Sequence, residues 1–189
     1  MDCCYGKKED YLEMRSVNRK ESWLVLCIFV AVCTILGLVA SSYADIIKET
    51  PSAPTTLAES DFVVSSQAGN IVIGESTRDD VIKVYPQGHD LGKSNIYRPL
   101  DVDCLLSFTK VENILVRIDI GPGELSTARG IKVGDSFSTV VDKYGSNYTR
   151  AYDKETPGIF DAYYGTDNYV LFKVEDDRVN KIYIGRPLS

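Results

Sequence analysis

The chain has 189 residues and a hydrophobic fraction of 44%, enough for one ordinary domain with a packed core, which excludes wholesale disorder. Five basic and five acidic residues cancel before Ala44, so residues 45–189 carry the whole net charge of −6. That acidity, with no run of Lys or Arg, makes nucleic acid and anionic lipid surfaces poor partners for this part of the chain.

Residues 1–21 mix charges of both signs and read as a cytoplasmic tail. Residues 22–44 carry no charge, and the apolar core from Trp23 to Ala40 predicts a transmembrane helix. At about 1.5 Å per residue such a run reaches most of a bilayer core of about 30 Å. Lys7, Lys8, Arg15, Arg19 and Lys20 precede the run, whereas Lys48 is the first basic residue after it. This bias predicts a single-pass cell-membrane protein with its N-terminus inside and its C-terminal domain outside the cytoplasm. Ser42-Tyr43-Ala44 also presents the small-x-small pattern of a signal-peptide cleavage site, so a chain released after Ala44 stands as the alternative to an uncleaved anchor.

Residues 45–69 include Pro51, Pro54 and many hydroxylated side chains, a composition that predicts a linker. Beyond it the sequence repeats. Ile71-Val72-Ile73-Gly74-Glu75 corresponds to Ile131-Lys132-Val133-Gly134-Asp135. Thr77, Val81, Ile82 and Tyr85 correspond to Ser136, Val140, Val141 and Tyr144. Thr77 and Ser136 are suitable N-caps, the apolar positions recur at helical spacing, and Pro86 and Gly145 are helix stops. Each predicted helix is short and amphipathic, so it requires a sheet to lie on.

Alternation with period two follows each helix and predicts antiparallel strands. Leu106, Phe108, Ile114, Val116, Ile118 and Ile120 supply it first; Val170, Phe172, Val174, Ile182 and Ile184 supply it again. Further strands are expected near 95–98, 148–152 and 160–164, with turns at 110–113 and 175–178. Phe108, Ile118, Ile120 and Gly121 match Phe172, Ile182, Ile184 and Gly185 at one constant offset. The expected fold is α+β: a transmembrane helix, then two repeated units, 70–125 and 126–189, each a short helix packed on an antiparallel β-meander.

The pattern of a capped short helix introduced by Gly-[Asp/Glu], closed by Tyr-Pro or Tyr-Gly and followed by a meander, resembles the BamE/SmpA superfamily. The tandem arrangement over residues 70–187 resembles the β-lactamase-inhibitor proteins of that superfamily. The resemblance implies helices on one face of an antiparallel sheet and a protein-binding role. The chain departs from these families in lacking both a lipobox Cys and the paired cysteines of the secreted inhibitors.

Little in the sequence points to catalysis. His89 is the only histidine and falls in a polar stretch read as a loop. Cys104 is the one cysteine of residues 45–189, set among apolar neighbours as a buried thiol would be. The numerous carboxylates fall mostly at helix starts and turns, where Asp is structurally favoured. No catalytic residue, metal ligand or cofactor is expected. The remaining signal is aromatic: Tyr169, Leu171, Lys173 and Tyr183 should share the sheet face opposite Val170, Phe172 and Ile182 and form a recognition surface for a protein or cell-envelope ligand. The expectation is a non-enzymatic, membrane-tethered, extracytoplasmic binding module, or alternatively a secreted inhibitor or binding protein.

Overall fold

The computed structural model describes residues 45–92 and 95–187. Helix α1 spans Arg78–Val84 and helix α2 spans Phe137–Tyr144. The Thr77 side chain accepts from the Asp80 N–H, and the Asp80 carboxylate accepts in turn from the Thr77 N–H, closing a capping box. Hydrogen bonds from Lys83, and then from Thr77, hold the Asp80 carboxyl well below its usual range, at about 2. Ser136 caps α2 by accepting from the Thr139 N–H. Gly145 ends α2 with a φ of 88°, a conformation that side chains resist.

The strands are β1 (Ile46–Glu49), β2 (Val63–Ser66), β3 (Gly69–Val72), β4 (Gly88–Asp90), β5 (Ile96–Pro99), β6 (Cys104–Phe108), β7 (Leu115–Ile120), β8 (Thr149–Asp153), β9 (Ile159–Gly165), β10 (Tyr169–Glu175) and β11 (Arg178–Gly185). Strands β2 and β3 form a separate hairpin; the other nine form one antiparallel sheet in the order β1-β8-β9-β10-β11-β7-β6-β5-β4. The β10–β11 turn is tight because Asp176 and Asp177 both adopt positive φ, the geometry a two-residue hairpin loop requires.

This architecture corrects the expected one. The described residues are mostly β and contain one large sheet, not two helix-on-meander units. The reason is the pairing of β7 with β11. Each is the last strand of its stretch, and a strand that ended there would leave a row of unpaired backbone groups. Instead Ile182 faces Ile120 and Ile184 faces Ile118. The residues matched in the sequence thus meet each other crosswise at the seam. Among the described residues, no helix is long and apolar enough to cross a membrane. The helix expected over 22–44 lies outside the described residues.

One side of the sheet carries the core. Phe172, Ile182, Ile184, Ile118, Ile120 and Leu106 are fully buried there. Helix α2 lies on it through Phe137, Val140 and Tyr144, with Phe137 edge-on to Phe160 at 5.0 Å and Tyr144 against Phe172 at 5.2 Å. Helix α1 contributes Val81 and Tyr85, whose carbonyl accepts from the Tyr97 hydroxyl at 2.8 Å.

Residues 45–69, expected as a linker, are built into the domain. Strand β1 extends the sheet by pairing with β8. The Thr55 hydroxyl donates to the carbonyl of Asn147 at 2.9 Å. Phe62 and Val64 enter the core. Asp61, 1% exposed, accepts two hydrogen bonds from Arg129 at 2.7 and 2.6 Å. The Arg129 guanidinium also lies 4.4 Å from the Tyr144 ring centroid and donates to the Lys143 carbonyl at 3.0 Å. One cation therefore ties this leading segment to the end of α2. Removing it strands a buried carboxylate, which costs about 3–5 kcal/mol. Arg129→Ala is expected to lower unfolding stability by about 3 kcal/mol in urea titrations, and Arg129→Lys by less. A loss of under about 1 kcal/mol for Arg129→Ala would show that the Asp61–Arg129 pair does not hold the segment in place.

Candidate functional site

Because side chains alternate across a strand, the residues between the core positions point to the opposite side of the sheet. Both described helices bury their apolar residues on the core side, so neither covers this face. Register aligns its side chains in rows that run across the strands. The central row is Thr149, Tyr163, Leu171, Tyr183, Asp119 and Leu105, contributed by β8, β9, β10, β11, β7 and β6. At about 4.8 Å between strands it spans about 24 Å. On one side lies a second row, Ala151, Asp161, Lys173 and Lys181. On the other side a third row comprises Tyr169, Gly185, Arg117, Ser107 and Ile96.

The four residues expected to form a recognition surface are thus brought together: Tyr169, Leu171, Lys173 and Tyr183 occupy two adjacent strands on one face. They are not equivalent. Leu171 is only 7% exposed and lies in register between Tyr163 and Tyr183, so it is the floor of the face. Tyr169 and Tyr183 are half-buried, and Lys173 is exposed.

Several members were not foreseen from sequence. Arg117 donates to Asp119 through Nε at 2.6 Å and Nη2 at 2.9 Å. Burial disfavours the charged guanidinium, but this forked bond outweighs the penalty and raises the Arg117 pKa. The Arg117 guanidinium sits 4.8 Å from the Tyr183 ring centroid, and Lys181 Nζ sits 5.3 Å from the same ring. Two cations therefore fix Tyr183, each such contact contributing about 0.5–1 kcal/mol at an exposed site. The alternation of Arg117 and Asp119 with Ile118 and Ile120 was visible in the sequence. What could not be read there was that β7 lies beside β11.

Glycine shapes the face at one point. A Cβ on Gly185 would lie 2.4 Å from Tyr169 Cζ, so the tyrosine ring rests flat on the bare backbone of β11. At the edge of the rows a cleft of about 270 Å³ opens among Arg98, Asp103, Leu105, Asp119 and Lys181.

Reactive groups do not gather on this surface. His89, expected in a loop, lies in β4 opposite Arg98, at the far edge of the sheet. Cys104 is 2% exposed on the core side, where burial pushes its thiol up to about 12. Among the described residues, no three His, Cys, Asp or Glu side chains are grouped so as to hold a metal ion. No family model matches the chain, and no curated protein or solved structure matches it.

Gly185→Ala tests the shape of the face. The added methyl is expected to lift the Tyr169 ring off β11 and cost about 1 kcal/mol. In NMR spectra the neighbouring strand protons should lose the ring-current shift that the Tyr169 ring imposes in the parent protein. Unchanged shifts would show that Tyr169 does not lie on Gly185.

Proposed function

We propose that this protein is a non-catalytic binding module that recognises a protein partner through the open face of its nine-stranded sheet. The observation that carries the reading is the central row, in which Tyr163, Leu171 and Tyr183 stand side by side on three adjacent strands. Tyrosine offers a broad amphipathic contact at small entropic cost, and here Arg117 and Lys181 already hold Tyr183 in place. A face about 24 Å across suits a protein surface better than a small metabolite. The resemblance to the BamE/SmpA and β-lactamase-inhibitor proteins supports a binding role on the same terms. The place of His89 in the edge strand β4, away from the tyrosine row, and the burial of Cys104 favour binding over catalysis.

The same reading puts the domain outside the cytoplasm, on the strength of the uncharged stretch 22–44 and the basic residues before it. Release by cleavage after Ala44 is a second form of the proposal. It is favoured by the position of β1, which starts at Ile46 and would survive such a cut intact.

Replacing Tyr169 and Tyr183 together by Ala is expected to weaken capture of the partner at least a hundredfold while leaving a cooperative thermal transition. Tyr183→Phe, which keeps the ring, should retain most of the affinity. Undiminished capture by the folded double variant would remove the sheet face from the proposal. N-terminal sequencing of the mature chain separates its two forms: a chain beginning at Asp45 supports release, and an intact N-terminus excludes it.

A further inference from the structure

The row beside the tyrosines contains an electrostatic imbalance. Lys173 of β10 stands directly opposite Lys181 of β11. Like charges in directly opposed positions of a sheet repel and destabilise the pairing. The chain supplies little relief. Lys173 Nζ reaches Asp161 Oδ1 only at 3.8 Å, and Lys181 forms no salt bridge with any described carboxylate. Asp161 is a single carboxylate beside two lysines, so one positive charge of the pair stays uncompensated. In residues 45–189, where acidic side chains prevail, two adjacent cations on the recognition face are a local exception.

The space beside this pair is apolar. Lys173 lies two residues along β10 from Leu171, about 6.7 Å away, and Leu171 is walled by Tyr163 and Tyr183. The face therefore offers a cationic position and an apolar position separated by the repeat of an extended chain. A long polyanion fits poorly: beyond the two lysines it would meet Asp161 in the adjoining register and Asp103 at the cleft. A single carboxylate needs only the two lysines, and toward Lys181 it stands one strand further from Asp161.

We propose that the Lys173/Lys181 pair receives the carboxylate of an Asp or Glu in an extended segment of the partner protein, while an apolar side chain two residues away seats over Leu171 between Tyr163 and Tyr183. The inference rests on the open face being the binding surface, and specifies the chemistry of what it binds. The incoming carboxylate would relieve the Lys173–Lys181 repulsion only in the complex, so the pair contributes to selectivity rather than to folding.

The test is selection of a phage-displayed library of random nine-residue peptides on the full-length protein. Enriched peptides are then measured against Lys173→Gln/Lys181→Gln, Lys173→Glu/Lys181→Glu and Tyr183→Ala variants whose folding is checked by circular dichroism. The expected result is enrichment of apolar-x-Asp/Glu sequences whose affinity falls at least tenfold in the neutral lysine variant and further in the charge-reversed one. If either lysine variant fails to fold, the other, and replacement of the peptide's acid by its amide, give the same comparison. Enriched peptides that lack acidic residues, bind both lysine variants unchanged and yet depend on Tyr183 would overturn the inference and leave the sheet-face reading standing. Peptides indifferent to the lysines and to Tyr183 would overturn both. No enrichment, or lysine-dependent binding of heparin without enrichment of peptides, would also overturn it, the latter assigning the face to an anionic polysaccharide.

Discussion

The fold depends on one strand pairing. Strands β7 and β11 join through Ile120–Ile182 and Ile118–Ile184, four side chains that are fully buried. Without this seam, a five-stranded and a four-stranded stretch would each expose an edge of unpaired backbone groups at the middle of the present sheet. With it, nine strands share one twisted sheet about 38 Å wide, and both helices lie on the same side. The consequence for the open face is direct: Tyr183 of β11 and Asp119 of β7 become neighbours, so residues distant in sequence form one row.

The two sides of the sheet use their aromatic residues differently. On the core side Phe137 meets Phe160, and Tyr144 and Tyr164 each meet Phe172, edge to face. On the open side Tyr183 is held by two cations and Tyr169 rests on Gly185, and both remain partly accessible. Rigidity comes from the first set and is inherited by the second, because Leu171 and Phe172 are adjacent residues of one strand. A pre-organised surface loses less freedom on binding than a flexible one. The leading segment adds to this rigidity: Asp61, buried and paired with Arg129, binds the start of the domain to the end of α2.

Local features were legible in the sequence, and remote ones were not. Thr77, Ser136 and Gly145 announce helix ends through the hydrogen bonds and dihedral angles they permit, and the structure uses all three. Alternation from Tyr169 to Val174 places three candidate residues, Tyr169, Leu171 and Lys173, on one face, since a period of two fixes which side each side chain takes. Strand neighbours are another matter. Nothing in the periodicity of β7 states that β11 lies beside it, so Arg117, Asp119 and Lys181 went unassigned and two separate meanders were expected. The segment 45–69 was misread because Pro, Thr and Ser describe a spacer by composition. Its ordering comes from long-range contacts, the pairing of β1 with β8, Thr55 to Asn147 and Asp61 to Arg129, which composition does not record.

Amide hydrogen exchange across the seam tests the central claim most directly. If β7 and β11 belong to one sheet, their hydrogen-bonded amides should exchange only through global unfolding, as slowly as those shared by β9 and β10, and respond to denaturant with the same slope. Seam amides that open at lower free energy, while β9–β10 and β5–β6 stay protected, would show two independently stable halves and contradict the account.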